Sequence, residues 1–171
     1  MGNCDQARRS RRGLIGHLRA VVSGIALLVI SATTGIAGEC QSDEVLLRGE
    51  RGEVRFSVEV ADEPQERAKG LMFRESMPQS MGMLFIYPKP QPVAFWMKNT
   101  LISLDVIFLD KTGTVVRVHE RAKPLDETPI FGGDEVFAVL EVNAGLAGRF
   151  GIGPGSELRH PAFGEDAAWP C

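Results

Sequence analysis

Two carboxylates stand inside apolar runs, where a charge is costly. Asp105 interrupts Leu104-Asp105-Val106-Ile107-Phe108-Leu109, and Glu141 interrupts Val139-Leu140-Glu141-Val142. A buried carboxylate needs a cation, a set of hydrogen-bond donors or an opening to a cleft. Arg74 follows an apolar turn, and a guanidinium can hold a carboxylate through two parallel hydrogen bonds. Asn99 and Thr100 stand at a turn between two apolar stretches and can complete such a network. The expectation is one polar focus built from Arg74, Asp105 and Glu141. These groups suit either a satisfied internal cluster that holds loops in place or the lining of a ligand pocket. Trp96, near Tyr87, Phe95 and Pro88, Pro90 and Pro92, either fills the core or offers a face that stacks on a sugar ring or another planar ligand. The candidate ligand-binding set is therefore Arg74, Trp96, Asn99, Asp105 and Glu141.

Other chemistries find less. Hydrolysis by paired carboxylates needs a defined separation and one raised pKa. Spacing supplies neither, so no catalytic residue is assigned, and a hydrolase-like enzyme using Asp105 or Glu141 as acid or base is the alternative. His119 and His160, the histidines beyond the N-terminal segment, flank no nucleophile and are expected at the surface. Met72, Met77, Met81, Met83 and Met97 fall within 26 residues. Clustered thioethers can bind Cu(I), but Met is also a gap-filler of cores, so a copper binder is a further alternative. No cofactor and no metal set are assigned.

The elements that must position these residues read mainly as strands. Residues 53–60 alternate, with Val54, Phe56, Val58 and Val60 on one face. Residues 62–69 read as a short helix with Asp62 as N-cap, Pro64 in the first turn and Gly70 closing it. Strands follow over 83–87, 93–97 and 102–109. Asp110-Lys111-Thr112-Gly113 is a hairpin turn, and 114–119 returns. Residues 128–134 read as a loop, 135–142 as a strand, 144–150 as a helix capped by Asn143, and 156–160 as a last strand. Short strands at close spacing predict a mainly β fold, an antiparallel sandwich or partly closed barrel with one or two short helices.

Charge and cysteine usage suggest a compartment. Residues 1–38 hold five arginines against Asp5, while 39–171 hold 14 basic and 21 acidic residues. An acidic body lacks the clustered positive face that nucleic acid requires. The basic start precedes 19 uncharged residues, 20–38, which read as a signal peptide cut after Ala37 or as an N-terminal membrane anchor. Ser10-Arg11-Arg12-Gly13-Leu14-Ile15 resembles a twin-arginine export signal. Either route places a single β-rich domain, residues 39–171, in the periplasm or outside the cell, or tethers it to the inner membrane facing the periplasm. Cys4 would leave with the leader. Cys40 and Cys171 then remain at opposite ends, and an oxidising compartment would join them.

Several motifs occur in order: Gly70-Leu71-Met72-Phe73-Arg74-Glu75, Met81-Gly82-Met83-Leu84-Phe85, Phe95-Trp96-Met97-Lys98-Asn99-Thr100, and Leu104-Asp105-Val106-Ile107-Phe108. Gly113-Thr114-Val115-Val116, Val139-Leu140-Glu141-Val142 and Ala144-Gly145 follow. In these pieces the chain resembles the domain-of-unknown-function family numbered 192, over about residues 54–158. The resemblance implies a compact, jelly-roll-like β fold and no established activity. The reading it leaves is a non-enzymatic binding module for a small molecule, a glycan or an envelope partner.

Overall fold

The computed structural model describes residues 40–171. The leader expected over 1–38, with Cys4 and the cut after Ala37, lies outside the described residues. Within 40–171 the fold is mainly β, a single curled sheet of seven strands in the order β5-β4-β6-β3-β2-β1-β7. The strands are β1 (Glu44–Gly49), β2 (Gly52–Ala61), β3 (Met81–Phe95), β4 (Leu104–Leu109), β5 (Val115–Ala122), β6 (Ile130–Asn143) and β7 (Glu157–Arg159). Two short helices, α1 (Pro64–Lys69) and α2 (Leu146–Phe150), and a 3₁₀ turn, Pro161–Phe163, complete the described residues. No helix among them is long and apolar enough to cross a membrane.

The sheet curls until its edges meet. Thr114, just before β5, bridges Glu157 of β7, Val115 N–H donates to the Ser156 carbonyl, and Leu158 N–H donates to the Gly113 carbonyl, both at 2.8 Å. This is the partly closed barrel that the strand pattern predicts. One pairing departs from the antiparallel expectation: β2 and β3 run parallel. Parallel neighbours need a crossover, and residues 62–80, with α1, provide it.

Both faces of the sheet are covered, so alternation assigns each strand residue to one of two apolar clusters. Leu84, Ile107, Leu109, Leu140 and Val142 pack inside the curl with Phe56, Val58 and α2. Met83, Phe85, Val106, Phe108 and Val139 pack on the other face, beneath Leu71, Met77 and Met97. β4 is buried along its whole length for this reason.

Four local expectations are corrected. The stretches at 83–87 and 93–97 are one strand, β3, whose register against β6 slips between Ile86 and Gln91. Pro88 and Pro90 lie in that slip, where a missing N–H costs no ladder bond. β6 starts at Ile130, so 128–134 is not a loop throughout. Gly132 permits this, because a Cβ there would sit 2.0 Å from Phe108 Cδ1. Helix α1 is capped by Glu63 rather than Asp62, in a capping box with Glu66. Asn143 ends β6, donating to the Met77 and Pro78 carbonyls, and Gly145 precedes α2 in its place. β1 lies outside the predicted strands, its adjacent Leu46 and Leu47 blurring the alternation.

Candidate functional site

Asp105 and Glu141 do not meet. Asp105 pairs in register with Val142, and Val106 with Glu141, so the two carboxylates stand on opposite faces of the sheet. Asp105 is fully buried on the inner face. Its Oδ1 accepts the Arg121 N–H and its Oδ2 the Ala147 N–H, each at 2.8 Å. Arg121 has φ 55° and lies where the β4–β5 register slips, between the pairs Leu104–Ala122 and Val106–His119. Ala147 lies in the first turn of α2, whose N–H groups lack intrahelical partners. Asp105 thus ties a bulge and a helix start to β4, a positioning role.

Arg74 does not reach either carboxylate. It forms a two-pronged ion pair with Glu59 on β2, both contacts at 2.5 Å. The hydrogen bond and charge of Arg74 hold the Glu59 carboxyl below its usual range, against a smaller effect of burial. Glu59, Met83 and Glu141 are successive partners across the sheet, so Arg74 anchors about two strands, roughly 10 Å, from Glu141. The expected focus of Arg74, Asp105 and Glu141 is therefore absent: Asp105 is satisfied by backbone, and Arg74 by Glu59.

Glu141 is different. Its side chain is 4% exposed, and no described residue hydrogen-bonds to its carboxyl. Burial alone raises its pKa from 4.5 to about 8. The carboxyl faces a cavity of about 100 Å³. Phe85 and Phe95 line it in edge-to-face contact, with ring centres 4.9 Å apart. Tyr87, Met72, Thr100, Trp96, Arg67 and Lys69 complete the relevant lining. Burial raises the Tyr87 hydroxyl pKa; the nearby Arg67 opposes this and Glu141 adds to it. Arg67 donates to the Ile86 carbonyl at 2.9 Å and to the Asp62 carbonyl, and its guanidinium lies 5.3 Å from the Tyr87 ring centre. Its charge is thus spent on holding α1 against β3. Trp96, directly after β3, is 48% exposed, with the Lys98 ammonium 5.0 Å from its ring centre.

Of the five predicted residues, Trp96 and Glu141 line this cavity. Asn99 shapes it from outside. It takes a left-handed φ of 54°, which Asn tolerates better than most residues. Its carbonyl accepts the Phe73 N–H at 2.8 Å, and its Nδ2 lies 3.9 Å from Met72 Sδ. That contact seats the segment after α1 against the cavity. Tyr87 and Arg67 are the residues that sequence reading missed as site members. Tyr87, the single tyrosine and placed two residues from Phe85 on one strand, carried a usable signal; Arg67 carried none.

Two further expectations change. His160 is buried rather than at the surface; its Nδ1 accepts the Ala162 N–H, and its Nε2 lies 3.0 Å from the Ser42 carbonyl. Burial lowers its pKa, with the Ser42 contact opposing. Met77, Met83 and Met97 are buried in the outer-face cluster, which packs these thioethers rather than presenting them together at the surface. Among the described residues no group of three or more His, Cys, Asp or Glu is arranged to hold a metal ion. Cys40 and Cys171 meet in disulfide geometry, with Cα atoms 5.6 Å apart.

Two solved structures are similar to this chain. A Novosphingobium aromaticivorans protein of unknown function shares 42% identity and a TM-score of 0.66, covering 67% of this chain and 82% of that chain. A Sinorhizobium meliloti protein, provisionally described as a transcription regulator, shares 40% identity and a TM-score of 0.66, covering 71% of this chain and 96% of that chain. No curated protein sequence matches the chain. The family model DUF192, described as an uncharacterized ACR, matches residues 46–160. That span runs from β1 through β7 and includes all of the cavity's lining, so the chain belongs to the DUF192 family.

Proposed function

We propose that the domain is an exported, non-enzymatic binding module whose Glu141 cavity takes one neutral, hydroxyl-bearing ring of a small molecule or glycan. The observation that carries this reading is the Glu141 carboxyl, buried, without a protein partner, and facing open space. With a pKa of about 8 it is mainly protonated at neutral pH. It then offers one O–H donor and a carbonyl acceptor, the pair that a sugar hydroxyl can use in full. A cavity of about 100 Å³ has room for about three waters at ~30 Å³ each, and ligand hydroxyls can replace them. Trp96 provides the apolar face that a sugar ring stacks on.

The N-terminal pattern and the Cys40–Cys171 geometry support an oxidising, extracytoplasmic home. Cell fractionation is expected to find the protein in the periplasm, beginning at Gly38 if the leader is cut. The charge does not favour a transcription regulator, since residues 39–171 carry 21 acidic against 14 basic groups. A hydrolase using Glu141 has a raised acid but no second carboxylate among the cavity's lining residues.

Thermal-shift screening against neutral sugars, cell-wall fragments and small acids tests the reading. A ligand at 100 times its Kd adds about 2.7 kcal/mol of stability. Trp96→Ala and Glu141→Gln are expected to abolish that gain in a folded protein. Binding left intact by both substitutions, or a silent panel, overturns the proposal. Cleaved sugar in the incubations would turn it into the hydrolase alternative.

A further inference from the structure

The Glu141 cavity is one end of a longer groove. Ala94, Phe95 and Trp96 line both that cavity and a shallower hollow of about 250 Å³. Pro129, the remaining wall of the hollow, also lines a cleft of about 320 Å³. This cleft carries Arg117, His119 and Lys123, with Phe131 beside them.

The topology explains the join. Arg117 and His119 alternate on β5 and pair with Phe108 and Val106. Val106 pairs in turn with Glu141, so Arg117 and His119 stand on the sheet face that carries Glu141. Both line the cleft together with Met97 and Ile130.

Two observations give the cleft a ligand class. First, neither Arg117 nor Lys123 takes part in the salt bridges seen among the described residues, such as Arg48–Glu157, Arg55–Glu44 and Arg74–Glu59. Asp126 is the one acid lining the cleft; hydrogen bonds from Thr128, its N–H at 2.9 Å, and then the Lys123 charge lower its pKa, so Lys123 is partly offset and Arg117 is the cation left open. Three positive or protonatable groups thus converge on a body with an excess of acids, which makes the cleft a local attractor for an anion. Secondly, exposed aromatic rings stand along the groove, Trp96 where the Glu141 cavity meets the hollow, at 48% exposed, and Phe131 in the cleft, at 46%. A guanidinium suits a planar carboxylate, and the aromatic faces suit sugar rings.

We propose that the groove binds an extended acidic oligosaccharide, with a neutral ring in the Glu141 cavity and the carboxylate of a neighbouring uronic acid on Arg117, His119 and Lys123. This rests on the glycan reading given above and adds to it a second subsite and a charge.

Calorimetric titration at pH 7 with matched trisaccharides tests it. The probes are cellotriose, its glucuronate counterpart of the same linkage, and the corresponding galactose and mannose pairs. At least one acidic trimer is expected to bind about tenfold tighter than its neutral partner, the worth of one charge-assisted contact. The double variant Arg117→Ala/Lys123→Ala is expected to erase that preference, leaving neutral affinity and melting temperature unchanged, because both side chains are exposed. Trp96→Ala is expected to weaken both members of a pair. Equal affinity for acidic and neutral trimers, abolished by Trp96→Ala, would leave the single pocket and overturn the groove. Acidic binding that survives Trp96→Ala but not the double variant is an isolated anion site, and also overturns it. If no trimer binds, the glycan reading falls together with the groove.

Discussion

Glu141 combines a cost to folding with a free functional group, and the two can be separated by pH. Below about pH 4.5 its carboxyl is protonated in both the folded and the unfolded chain. Between 4.5 and about 8 the unfolded chain ionises while the folded one does not, so stability falls as pH rises and levels off above the folded value. A shift of this size corresponds to an upper bound of roughly 5 kcal/mol. Glu141→Gln is therefore expected to raise the melting temperature at pH 8, to change it little at pH 4.5, and to remove ligand binding at both. Melting curves across that range check it; a variant less stable than the wild type at pH 8 would contradict it. Asp105 has a different part, since backbone N–H groups already satisfy both of its oxygens. Asp105→Asn turns one acceptor into a donor facing a backbone N–H, at an expected loss of about 1–3 kcal/mol, while affinity for any ligand of the Glu141 cavity stays the same. The sequence showed that both carboxylates are buried, because each breaks an apolar run. It could not show that they diverge. Sidedness alternates along a strand, but apart from Asp105 itself β4 is apolar on both faces, so no other polar residue marks which side is which.

Among elements, β6 does most of the positioning. It pairs with β3 on one side and β4 on the other, and it delivers Glu141 to the outer face. Its start at Ile130 depends on Gly132, where Phe108 occupies the space that a Cβ would need. Gly132→Ala is expected to cost about 1–3 kcal/mol through overpacking and to shift the 128–131 segment that walls the acidic-sugar groove. Denaturant melts and titration of the same variant read both effects. The hairpin at Asp110–Gly113 was legible: Asp110 Oδ1 accepts the Thr112 N–H at 2.8 Å and the Thr114 N–H at 3.1 Å, as turn chemistry requires. The continuity of β3 was not, because proline and glycine in a sequence signal a stop, and their tolerance within a bulge depends on the partner strand. The parallel β2–β3 pair was hidden for a related reason: a six-residue helix is too short to announce a crossover.

At the scale of the whole domain, closure depends on few contacts. The Thr114–Glu157 bridge and its neighbours join the two edges of the curl, while Cys40 and Cys171 close a sequence separation of 131 residues. In the chain-entropy view a crosslink over so long a loop contributes up to about 5 kcal/mol. Reduction, or Cys40→Ser, is expected to lower the melting temperature of the oxidised protein by several degrees while leaving the sheet's circular dichroism intact at room temperature. An unchanged melting temperature would show that the bond adds little. The pairing was readable because Cys40 and Cys171 are the two cysteines beyond the basic and apolar N-terminal stretch, and a partly closed barrel was readable from the short strands; which edges meet, Thr114 against Glu157, was not, since that depends on twist accumulated over seven strands.

The crosslink has a mechanical consequence. Cys40 and Cys171 bracket the described residues, so the short covalent path between these two positions runs through sulfur rather than along the backbone that separates them by 131 residues. A pull transmitted between the two ends would stretch the cystine and bypass the strand ladders. Such a pull finds no free end between residues 41 and 170 from which to unravel the sheet.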